Sequence, residues 1–184
     1  MPLFRTRLAV ALISSAAIAL QLALMRELSL RFWAHFAYMV ISVALLGFGA
    51  SGTGISLLRR RILVHPRGWI CGLAMAFSLS IPLSLRAGRA VPLDVQYLAW
   101  NLSQLGAAAA LELIMFIPFL LAGMMVGVAL LDLPRRLNGH YAANLVGSGA
   151  GALAAVALMF VLTTSGLLMA ISIVGYLAAA VLLP

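Results

Sequence analysis

The chain has 184 residues, of which 65% are hydrophobic and only 9% charged, against roughly a quarter charged in soluble domains. That balance excludes a soluble globular enzyme, and it makes the net charge of +8 a question of membrane topology rather than of nucleic-acid binding. A single cysteine, Cys71, excludes an internal disulfide, a CxxC pair and a cysteine metal site.

The apolar residues fall into six blocks, at about 8–25, 37–58, 68–86, 106–131, 141–162 and 165–183. Each is close to the ~20 residues that a membrane-crossing helix needs. The expected fold is therefore an all-α, polytopic membrane bundle of six helices, forming one domain over residues 1–184. The first block follows Arg5 and Arg7. It is long for a signal sequence and carries no convincing cleavage site, so it reads as a retained signal anchor. After Gln21 comes MRELSLRFWAHF, read as an interfacial segment over 26–36. Glu27 and Arg31 are spaced for a helical ion pair, while Trp33 and Phe36 suit headgroup depth.

The second block contains Gly47, Gly49 and Gly52, which fit the dinucleotide fingerprint G-x-G-x-x-G. That fingerprint requires a strand before it and a helix after it, and here an unbroken apolar run precedes it. No cofactor is expected. Gly47 and Ser51 instead share a helix face, as do Ala50 and Gly54, and small residues at this spacing let helices approach closely in lipid. The same spacing recurs at Gly68/Gly72, Gly123/Gly127 and Gly147/Gly151, each pair an expected packing seam.

The arginines set the orientation. Arg5 and Arg7, then Arg59, Arg60, Arg61 and Arg67, then Arg135 and Arg136 are separated by even numbers of crossings, so they share one side. The positive-inside rule makes that side cytoplasmic, with both termini there. Arg86 and Arg89 lie on the other side. A bacterial cytoplasmic membrane is the expected location, with the lipid bilayer as the first partner and no nucleic acid.

Polar groups inside spans are costly and are candidate functional sites by default. Here these are Gln21, Arg26, Glu27, Arg31, Glu112 and Asn144. Glu112 lies about 9 Å inside a span that begins near Gly106, so it is expected to be protonated, paired with an arginine such as Arg26 or Arg31, or facing a wet cavity, in a structural or a transport or ligand role. Pro118 would free a backbone carbonyl for another partner. His65 and His140 are placed in cytoplasmic loops and His35 on the far side, so no metal-ligand spacing arises. No catalytic set is present, which argues against enzymatic activity in these residues.

Two segments carry a resemblance. LQLALMRELSLRFWAHFAYMVISVALLGFGASG (residues 20–52) and IPFLLAGMMVGVALLDLPRRLNGHYAANLVGSGAGAL (117–153) resemble the membrane region of bacterial spermidine synthase-like membrane proteins. Together they cover about 70 of the 184 residues. The resemblance implies a multi-span bundle followed by a cytoplasmic domain similar to polyamine aminopropyltransferases. Two positions depart from the pattern: Gln21 stands where the family has an acid, and Asn144 where it has an aspartate. Three roles follow as expectations: an anchor or scaffold for such a domain, a small transporter or permease-like unit, or a subunit of a homo-oligomer or larger membrane complex. An inverted division into three plus three spans would fit a carrier, but the second and fifth spans show only weak similarity.

Overall fold

The computed structural model describes residues 3–32, 36–97, 100–131 and 137–183. Six helices are present: α1 Leu3–Arg31, α2 Phe36–Val64, α3 Pro66–Ala90, α4 Leu102–Leu131, α5 Leu137–Met159 and α6 Thr164–Leu182, with a short 3-10 turn at Val95–Tyr97. All six are long and apolar enough to cross a membrane. Most extend beyond the apolar blocks by a turn or more, since a helix does not stop where hydropathy does. Pro66 at the first turn opens α3, where its missing N–H costs nothing. Thr163 caps α6, its side chain accepting from the Gly166 N–H.

Residues 26–31, expected to lie apart as an interfacial segment, continue α1 without a break. Their arginines find partners on neighbouring helices, and this holds the helical course. Trp33 and His35 of that segment, and Arg135 and Arg136 further on, lie outside the described residues.

α1 and α4 form the centre of the bundle. Their most apolar windows are 56% and 50% buried, against 28% for α2 and 17% for α5, so the last two are outer helices. α1 packs chiefly on α5 and α6, while α4 packs chiefly on α2 and α3. α3 and α6 also pack on each other. Between the inner helices lie Val10, Ile13, Phe77, Phe119, Met125, Leu167 and Leu168, all fully buried.

This arrangement is nearly unchanged when the first three helices are exchanged for the last three. The pairs α1–α5 and α4–α2 exchange, as do α1–α6 and α4–α3, while α3–α6 maps onto itself. Three spans per half would make the halves opposite in membrane orientation, a pairing pattern like that of the inverted repeats of carriers. The similarity of the second and fifth spans, weak as a string, is aligned by this exchange. Gly47-Phe48-Gly49-Ala50-Ser51 matches Gly147-Ser148-Gly149-Ala150-Gly151. In each, the first and fifth residues are buried and the central glycine is exposed.

Small residues make the outer helices fit. A Cβ on Gly147 would stand 2.7 Å from Ala11 Cα, and one on Gly151 would stand 2.7 Å from the Ser15 carbonyl carbon, so α5 rests directly on the α1 backbone. On the other side, a Cβ on Gly47 would stand 2.6 Å from Phe119 Cβ and one on Gly123 would stand 2.7 Å from Ser51 Oγ. A Cβ on Gly127 would collide with the Ile55 side chain. The expected seams at Gly47/Ser51, Gly123/Gly127 and Gly147/Gly151 are thus real contacts. Gly68/Gly72 is not one: nothing lies within 4 Å of either position. Spacing alone cannot say which face of a helix meets a neighbour.

Candidate functional site

Backbone groups freed inside the bundle find specific hydroxyl partners. Pro118 lies inside α4 and has no N–H for the carbonyl of Ile114, four residues earlier. The Ser84 hydroxyl of α3 donates to that carbonyl at 3.0 Å. Pro82 does the same within α3, and Ser172 of α6 donates to the freed Ser78 carbonyl at 2.7 Å. The expectation for Pro118 therefore holds, and a second copy of the device ties α3 to α6.

The arginines of α1 serve helix ends. The last carbonyls of a helix lack intrahelical donors and carry partial negative charge, which cations satisfy. Arg26 donates to Met159 O at the end of α5, at 2.7 Å. Arg31 donates to Gly88 O at 2.8 Å and lies 3.3 and 3.4 Å from Arg89 O and Val91 O at the end of α3. At the other end of α1, Arg5 donates to Leu183 O beyond α6, at 2.9 Å. Arg31 also lies over the Phe32 ring, 5.1 Å from its centroid. The expected Glu27–Arg31 pair does not form, because Arg31 is drawn to these carbonyls. Glu27 pairs instead with Arg89 of α3 at 3.3 Å. Arg89 in turn donates to Ser165 Oγ, in the first turn of α6, at 2.7 Å. These contacts bind one end of α1 to α3, α5 and α6.

The expected pairing of Glu112 with an arginine does not form. Arg26, Arg31 and Arg89 are all committed elsewhere, and no described residue forms a hydrogen bond or ion pair with the Glu112 carboxylate. It lines a groove between α2 and α4, open on the outside of the bundle, with Val43, Leu46, Ala50, Ala109, Leu113 and Phe116. The groove has room of about 360 Å³. Gln21 is half-buried and likewise makes no hydrogen bond to the described residues. His140, expected in a loop, lies in the first turn of α5 and is 1% exposed.

Asn144 faces a different cavity. Ser14 Oγ lies 2.7 Å from Asn144 Oδ1 and 2.8 Å from Val10 O. One hydroxyl has one proton, so it cannot donate to both. Turning the Asn144 amide end for end lets its NH₂ donate to Ser14 while Ser14 donates to Val10. The cavity of about 320 Å³ beside this pair lies among α1, α2, α4 and α5 and includes Ser51, Ser148, Gly123 and Gly127. Its hydroxyl and amide lining carries no formal charge. Asn144 was legible as a polar residue in a span and Ser51 only as a packing residue, whereas Ser14 and Ser148 were lost among the many serines of apolar helices.

The fold and these sites define a multi-pass, all-helical membrane module with uncharged and singly charged polar pockets. Comparison with protein families, characterised proteins and solved structures finds no match to this chain.

Proposed function

We propose that this chain is a membrane anchor and scaffold of the spermidine synthase-like kind, in a bacterial cytoplasmic membrane. Its arginine-rich end would face an aminopropyltransferase-like domain in the cytoplasm. The observation that carries this reading is the tight packing where α1, α3, α4 and α6 meet. A pocket among the described residues of these helices has room of only about 20 Å³, about the space of one water. Such packing suits a rigid platform, whereas the larger cavity beside Asn144 is the space that a solute path would use. The arginine-rich end supports it too: Arg5, Arg7, Arg59, Arg60, Arg61 and Arg67 are all exposed, and Arg5 joins that end of α1 to the end of α6.

Recruitment tests this reading. A purified aminopropyltransferase-like domain is expected to sediment with inside-out vesicles carrying the chain, and less so in about 1 M salt, where the Debye length is ~3 Å. Equal sedimentation with vesicles lacking the chain overturns it. A carrier-like role is the second reading, favoured by the inverted pairing pattern, since carriers rock such halves around a central site. Polyamine uptake by proteoliposomes decides for that alternative.

A further inference from the structure

We propose that the groove between α2 and α4 at Glu112 binds a monovalent organic cation with an apolar body, reached from the lipid. Glu112 lies six residues past Gly106, where the apolar run of α4 begins, which places it about 9 Å into the span. An ionised carboxylate at that depth gains more from a cation placed beside it than it would in water. Arg26, Arg31 and Arg89 are held by helix ends and by Glu27, and Arg86 is exposed without a bond to Glu112. No described residue supplies a cation to the groove, which leaves the position open to one from outside.

The walls specify what it carries. Apart from Glu112, every residue lining the groove is apolar. Ala50 and Ala109 leave the space, and Phe116 offers a ring to a cation. A volume of about 360 Å³ falls within the ~300–1,000 Å³ range of small-molecule sites. One carboxylate answers one positive charge. A polyamine, with several ammonium groups spaced along its chain, would bury charges that nothing in this groove satisfies. The proposal thus stands apart from the anchor reading and from its polyamine-related partner.

Tetraphenylphosphonium is a suitable probe, with the full chain in phosphatidylcholine nanodiscs and binding followed by scintillation proximity. Saturable binding is expected, and Glu112→Gln should weaken it at least tenfold. Ala109→Leu, which fills the groove without touching the charge, should also abolish it and keeps the test decisive if the Gln variant folds poorly. Glu27→Gln, at the Arg89 pair, should bind like the original chain. Excess spermidine should fail to compete. Absence of saturable binding, wild-type affinity in both groove variants, or displacement by spermidine overturns the proposal. So does light scattering that shows Glu112→Gln converting a dimer to a monomer, which would assign the groove to self-association.

Discussion

Ser84 and Ser172 matter out of proportion to their size because each answers a carbonyl that a proline has orphaned. A freed carbonyl in lipid has no water to turn to. Interhelical hydrogen bonds of this kind contribute about 0.6 kcal/mol on average and up to ~1.7. Ser84→Ala is expected to cost about 1 kcal/mol in detergent unfolding. In a Pro118→Ala background, where residue 118 regains its own N–H, the same change should cost close to nothing. A double-mutant cycle measures that coupling, and equal costs in both backgrounds would refute the assignment. Glu112→Gln should not lower the melting temperature, because no described residue loses a partner; a clear drop would mean that an internal partner exists. This residue also marks the limit of reading the chain as a string. Its spacing from Pro118 and its depth were plain, but its face was not, and the arginines thought to serve it had helix ends to satisfy first.

At the scale of helices, the glycine seams decide which spans touch. α5 lies on α1 through Gly147 and Gly151, with nothing but glycine tolerated against the Ala11 and Ser15 backbone. Gly151→Leu should force the two apart and lower thermal stability by about 1–3 kcal/mol, the usual cost of overpacking. Gly149→Leu is the control. Gly149 lies between them in sequence, but nothing lies within 4 Å of it, so the change should be close to neutral. Equal effects of the two would mean that α5 does not rest on α1. The six spans themselves were legible from hydropathy, since a 20-residue apolar run has few other uses. The seams were legible as spacings, and those at Gly47/Ser51, Gly123/Gly127 and Gly147/Gly151 proved to be contacts. Gly68/Gly72 failed because the same pattern occurs on faces that look outward. The Gly175–Ser78 approach between α3 and α6 was missed because its small neighbour four residues on is Ala179 and not a second glycine.

For the molecule as a whole, the pairings interlock the two halves. α1 rests mainly on α5 and α6, and α4 mainly on α2 and α3, whereas α2–α3 and α5–α6 barely meet. Neither half has much of a core of its own. Residues 1–91 produced alone should therefore aggregate or be degraded, while co-production with residues 92–184 should let a tag on one half purify both. A stable, monodisperse first half would contradict this interlocking. The sidedness has its own check. In a Cys71→Ser background, a cysteine beside Arg5 or Arg136 should react with an impermeant maleimide only in inside-out vesicles, and labelling of intact cells would invert the topology.

The interlocking also puts a clock on synthesis. α1 is complete roughly 150 residues before α6, an interval of about 10–30 s at ordinary translation rates. For most of that time the ledge at Ala11 and Ser15 has no α5 to cover it and Arg26 has no helix end to hold, while Arg31 gains the end of α3 sooner. The newborn first helix must wait in the membrane with its most adhesive face open to any passing span. Damage at Gly147 or Gly151 would then first appear as loss of protein during biogenesis, before any finished molecule existed to be measured.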